Sequence, residues 1–218
     1  PSLITNGFKS LGKYIEDSMS DQNRKNKHQQ RQQKVKENVD AKVAAAQAEQ
    51  GIFQVITGNG KGKSTSGFGT VARCVGHGMN AAVAQFIKGL WDCGERNLLE
   101  KAGVPFSVMK TGFTWETQNR ETDTKAAQDT WQQAKAWLAD DSIDLVLLDE
   151  LTYMVTYEYI DLDEVITAIE NRPKMQSVII TGRAAHRRLT DLADTVSEVR
   201  NVKHAFEAGI KAQKGFDF

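Results

Sequence analysis

Residues 52–65 read IFQVITGNGKGKST, and the fold follows from how that stretch is parsed. IFQVIT (52–57) is short, apolar and rich in β-branched side chains, which is a strand signal. It runs straight into TGNGKGKST (57–65), where three glycines alternate with polar residues and a Lys–Ser pair opens a helical stretch over 64–76. Strand, glycine-rich turn and helix, in that order, make a phosphate-binding loop. Gly58, Gly60 and Gly62 allow the backbone to come close to phosphates with its N–H groups turned inward. The following helix presents its positive end to the same anion. Lys63 supplies a point charge to the phosphates, and the Ser64 hydroxyl is placed to ligate Mg²⁺. The general loop is GxxxxGK[ST]. Thr57 stands at its first glycine position, so the phosphate chain need not run here as it does in other loops of this kind.

Outward from the loop, AAVAQFI (81–87), PFSVMK (105–110), DLVLLDE (144–150) and SVIITGR (177–183) read as further strands. TVSEVRNV (195–202) reads as an edge strand. Helical stretches fall at 95–103, 119–139, 161–170 and 185–193. Runs such as LVLLD and VIIT are apolar on both faces, as parallel strands covered by helices must be. The expectation is an α/β fold: a P-loop (RecA-like), mainly parallel sheet with helices on both faces. Asp149 and Glu150 end one strand, where a carboxylate reaches a metal beside the phosphates. Arg183 ends another, on the carboxyl edge where ligands bind in open sheets; its other reading is a surface salt bridge. Phe113 and Trp115 sit two residues apart in TGFTWETQNRET (111–122). They are either a satellite cluster over the core or an aromatic platform for a flat ligand.

The chain has 218 residues, 40% hydrophobic and 26% charged, with 28 basic and 28 acidic side chains. That balance gives no pointer to nucleic acid or to a membrane surface. The two cysteines, Cys74 and Cys93, form no CxxC pair, and no apolar run approaches a membrane span. A cytoplasmic protein is expected. His28, His77, His186 and His204 show no metal-ligand spacing and read as surface or structural groups. Residues 19–50 are polar, with Gln, Lys, Glu and Ala favouring a helix that has little apolar face of its own, or else a frayed tail. Residues 1–18 read as an extra or appended N-terminal segment, since Met19 offers a native start. The main domain is 51–218.

The segments QQRQQKVKENVDAKVAAAQ, TGNGKGKS, QFIKG, GERNLLE, TGFTWETQNRE, LDELTYMV, VIITGR, DLADTVSEVR and VKHAFEAGIKAQKG resemble the homodimeric P-loop ATP:corrinoid adenosyltransferases of bacterial vitamin B12 biosynthesis and salvage. The resemblance covers residues 19–218. It implies transfer of the 5′-deoxyadenosyl group of ATP to the Co(I) centre of a corrinoid of the cobalamin or cobinamide type, with triphosphate leaving. By the same resemblance, Gly58, Asn59, Gly60, Lys61, Gly62, Lys63, Ser64 and Thr65 hold the triphosphate of an ATP that lies reversed in the loop. Ser64 and Glu150 bind Mg²⁺ or Mn²⁺, and Arg73 and Arg183 lie near the nucleotide. Phe113 and Trp115 form a wedge under the corrin ring that excludes the axial ligand and eases reduction of Co(II). A reduced flavoprotein is the implied electron donor. The polar arm is expected to cover the active site of the partner subunit. Two readings compete: a generic P-loop NTPase or small-molecule kinase, which yields ADP, and a nucleotide-binding module without turnover.

Overall fold

The computed structural model describes residues 2–87, 92–109 and 119–217, with side chains from residue 24 onward. The chain divides into two compact units, Pro1–Glu49 and Gln50–Phe218. The first is one helix, α1 (Ser2–Ala45), which passes the 18/19 boundary without a break. Its side chains from residue 24 are exposed. Gln33 donates to Glu37 one turn on, at 2.9 Å. Val35, Val39 and Val43 form a narrow apolar stripe at four-residue spacing, and all three are exposed.

The second unit is a doubly covered sheet. Its elements are β1 (Phe53–Thr57), α2 (Lys63–Gly76), β2 (Ala81–Gln85), α3 (Gly94–Lys101), β3 (Phe106–Val108), α4 (Arg120–Leu138), β4 (Leu145–Asp149), α5 (Leu151–Thr156), α6 (Leu162–Glu170), β5 (Ser177–Thr181), α7 (Arg187–Leu192) and β6 (Thr195–Glu198). A 3₁₀ turn follows at Ala205–Ala208. The strands run in the order β3-β2-β4-β5-β1-β6, and every pairing is parallel. The expected α/β architecture is therefore present.

Alternation along β4 and β5 shows why their sequences are so apolar. Val146 and Leu148 of β4 join Val178 and Ile180 of β5 in a core with Trp131, Met154 and Leu189. The intervening Leu145, Leu147 and Ile179 join Phe68, Val71 and Leu99 on the opposite face. Both faces of β4 are covered by helices, so each of its positions is buried. Helix starts are capped locally. Asn119 accepts the Thr122 N–H at the head of α4, and Asp161 accepts the Glu164 N–H at the head of α6.

The expected elements are shorter in places. β2 stops at Gln85; Phe86 N–H still donates to Asp149 O at 2.9 Å, and Ile87 then turns the chain at φ +60°. α5 was not foreseen: LTYMVT is short and β-branched, and only the packing of Leu151 and Met154 into the core makes it helical. Among the described residues no helix is long and apolar enough to cross a membrane.

Candidate nucleotide site

Strand register levels the carboxyl edge of the sheet. Gln85 pairs with Asp149, Ile56 with Thr181, and Thr57 with Glu198. The loop from β1 to α2 rises from that edge. Gly62 caps α2 with φ +119°, which is closed to a side chain on backbone grounds alone. Gly58 has φ +102°, and a Cβ there would fall 2.4 Å from the Val199 carbonyl oxygen. α2 has no side-chain cap and no acidic residue in its first turn. Its leading N–H groups are thus left for an anion.

The loop's departure at position 57 has a local cause. The Thr57 hydroxyl accepts the Ala185 N–H at 3.2 Å, tying the loop to the turn that carries Arg183. A glycine could not make that bond. Gly60 N–H donates to Val199 O at 2.7 Å and is therefore turned away from the phosphate side.

Lys63 is only 7% exposed, and its ammonium donates to Gly60 O at 2.8 Å. Burial, above all, lowers its pKa; Arg183 acts in the same direction, while Glu150 and Asp149 oppose it. The acidic pair divides its duties. Asp149 is wholly buried: Oδ1 accepts the Thr181 hydroxyl at 2.7 Å and Oδ2 accepts Gln85 Nε2 at 3.3 Å. It fastens β2, β4 and β5 together. Glu150 lines the cleft. Its backbone sits in the left-handed region, φ +62° and ψ 22°, with its N–H on Thr181 Oγ1 at 2.9 Å. A non-glycine residue there is a strained conformation of order 1–3 kcal/mol, of the kind that clusters at functional sites.

Lys63 and Glu150 border one cleft of about 490 Å³. Asn59, Gly60, Lys61, Gly62, Lys63, Ser64 and Thr65 of the loop line it together with Glu150 and Arg183. Arg73 is not brought in: it lies on α2, exposed, a helix length from Lys63 and outside the cleft lining. Phe113 and Trp115 lie outside the described residues. The cleft also holds residues that the sequence reading had not singled out. Tyr153 lies one turn beyond Glu150 on α5, and burial first, then Glu150, raises its phenol, which stays a protonated donor at neutral pH. Cys93, Glu95, His204 and Asp217 also line the cleft. His204 keeps a structural part as well, its ring accepting the Phe206 N–H at 3.1 Å at the head of the 3₁₀ turn.

Residues 49–218 match the family described as ATP:corrinoid adenosyltransferase BtuR/CobO/CobP. The chain belongs to that family. Curated relatives agree along nearly their whole length. The corrinoid adenosyltransferase of Escherichia coli K12 is 64% identical over 88% of this chain and 98% of its own. The corrinoid adenosyltransferase CobA of Salmonella typhimurium is 65% identical over the same shares. The Pseudomonas aeruginosa corrinoid adenosyltransferase is 48% identical over 88% of this chain and 96% of its own. As a family member the chain is an enzyme, and the cleft at its phosphate loop is the candidate site for the adenosyltransferase reaction.

Proposed function

We propose that the protein transfers the 5′-deoxyadenosyl group of ATP to the Co(I) centre of a corrinoid. The observation that carries the reading is the convergence of Lys63, Ser64, Glu150 and Arg183 on one cleft at the carboxyl edge of a sheet built from this family's sequence. The cobalt lone pair attacks C5′ of the ribose. The bond from C5′ to its oxygen breaks, and triphosphate departs with the electron pair. Cobalt is the nucleophile, so the protein need not supply one. Its work is to align C5′ with the cobalt and to stabilise charge on the leaving oxygen.

Lys61, Lys63, Arg183 and the leading amides of α2 are proposed to hold the triphosphate. Lys63 suits that work because burial keeps its charge poorly solvated, and a polyanion restores what water does not supply. The Ser64 hydroxyl and the Glu150 carboxylate are all-oxygen donors, which fit a hard cation such as Mg²⁺ or Mn²⁺ that keeps waters and phosphate oxygens as its other ligands. Such an ion would neutralise charge on the departing triphosphate. Phe113 and Trp115 are proposed as the apolar wedge under the corrin ring. A second copy of the chain, covered by the polar arm, and a reduced flavoprotein complete the proposed working assembly in the cytoplasm.

The test is product identity. The protein is incubated with Mg-ATP and chemically reduced cob(I)alamin. Adenosylcobalamin and triphosphate are the expected products. ADP, or no corrinoid-dependent change, sinks the reading and returns the chain to generic nucleotide hydrolysis or phosphoryl transfer.

A further inference from the structure

The segment after β6 folds back over the phosphate loop. Val199 O holds the Gly60 N–H, and a Cβ on Gly60 would lie 2.6 Å from Arg200 O, so the two backbones touch. Farther along, Asp217 Oδ1 lies 2.7 Å from Lys61 Nζ, and the Phe216 ring centre is 5.7 Å from the same ammonium. Lys214 faces Asp92, which also lines the cleft, at 3.8 Å. Asp217 and His204 line that cleft together with Lys61 and Lys63. The Lys61 hydrogen bond, first, holds the Asp217 carboxyl below the usual range, with help from the Gln213 amide. A charged carboxylate therefore sits on a loop lysine in the same cleft that a polyphosphate must enter. Gly209 and Gly215, at φ +74° and +82°, give this segment two backbone pivots.

The reaction makes such an arrangement useful. Triphosphate released from C5′ carries more negative charge than it did within ATP. The cations that bound the substrate hold the product at least as firmly, and the chemical step does nothing to loosen them. An anion on the protein that competes for one of those cations would speed release.

We propose that the segment after β6 is an anion-exchanging strap. Asp217 occupies Lys61 while the cleft lacks polyphosphate, yields when the triphosphate of ATP takes the lysine, and returns to Lys61 to displace the product. Lys214 on Asp92 keeps the strap near the cleft in the meantime. The His204 Nδ1 accepts the Phe206 N–H at 3.1 Å, so the neutral ring carries its proton on Nε2, a donor that remains on the strap when Asp217 leaves. The proposal rests on the reading of the cleft as a triphosphate site.

The test titrates inorganic triphosphate with Mg²⁺ into the protein without corrinoid, by calorimetry, for wild type, Asp217→Asn, Lys61→Ala and the double variant. Asn keeps an oxygen for the Gln213 N–H that Asp217 Oδ2 accepts at 2.8 Å. Asp217→Asn is expected to tighten triphosphate binding about two- to five-fold, the range of a partly exposed ion pair. The gain shrinks as salt rises, and it vanishes in the Lys61→Ala background. Unchanged or weaker binding by Asp217→Asn overturns the strap, as does an equal gain with and without Lys61. In turnover, Asp217→Asn is expected to lower kcat and to strengthen inhibition by added triphosphate. If corrinoid turnover is absent altogether, the function falls while the binding cycle still decides the strap. If turnover is normal and the cycle is flat, the strap alone falls.

Discussion

Thr181→Val removes one hydroxyl and almost no volume from the end of β5, and its effect can be estimated from two hydrogen bonds. The hydroxyl donates to Asp149 Oδ1 at 2.7 Å and accepts the Glu150 N–H at 2.9 Å. Thr181 and Asp149 are both wholly buried, so water cannot replace either bond. Losing a hydrogen bond to a carboxylate removes about 1.5–3 kcal/mol, and leaving the Glu150 amide without an acceptor adds about 1–3 kcal/mol. A total near 3–5 kcal/mol is expected. For a folded unit of this size each kcal/mol lowers Tm by about 2–4 °C, so thermal unfolding followed by circular dichroism should shift down by roughly 6–20 °C. Thr181→Ser keeps the hydroxyl and loses a methyl group, a change of about 1 kcal/mol. It should retain most of the stability. A second readout tracks the site. Losing that acceptor weakens one hold on the Glu150 backbone, so Thr181→Val should need more Mg²⁺ for half-maximal activity. A Tm within about 2 °C of wild type would refute the reasoning, as would equal losses for Ser and Val.

Lys63→Met should abolish ATP-dependent thermal stabilisation yet raise the Tm of the nucleotide-free protein, because burial penalises the lysine's charge; an unchanged or lower Tm at neutral pH counts against this. The sign with pH follows from a folded pKa below the reference value of 10.5. The penalty is full below the folded value and fades as pH rises from there to 10.5, so the Tm gap between the two proteins should close across that window. Gly62→Ala should weaken ATP binding at least tenfold, since φ +119° is closed to alanine and the loop must rebuild to accept it; wild-type affinity by calorimetry would show that the turn is not needed. Trp115→Ala should leave ATP affinity intact and impair formation of Co(I) from Co(II); undiminished four-coordinate Co(II) signals in electron paramagnetic resonance would remove the wedge from the mechanism. Arg73→Ala should change ATP affinity less than twofold, because Arg73 is exposed and outside the cleft lining; a large loss would mean that it reaches the nucleotide in the working assembly.

What the sequence made legible was chiefly local. The loop, its preceding strand and its following helix announce themselves because glycine, lysine and serine have few other reasons to fall at that spacing. LVLLD and VIIT are legible as buried strands because burial on two faces leaves no room for alternation. Strand order was not legible. β5 comes between β1 and β4 through helical crossovers whose lengths do not specify a neighbour. The division of labour in the Asp149–Glu150 pair also stayed hidden, because it depends on Thr181, 32 positions after Asp149. Asp217 escaped for the same reason in stronger form, since its partner Lys61 lies at the other end of the domain and neither residue belongs to a periodic pattern. α5 was missed because its propensity argues against a helix and only its buried side chains argue for one.

The hydroxyl of Thr57 on the Ala185 amide has a consequence for how such a loop can change over time. Glycine at position 57 would match the general pattern, yet it would release that amide and loosen the turn leading to Arg183. A single step toward the common motif is therefore a step downhill in order elsewhere in the cleft, and it needs a second change at the turn before it becomes harmless. Position 57 works as a ratchet: the chain can keep its unusual loop by doing nothing, and can leave it only in two coordinated moves.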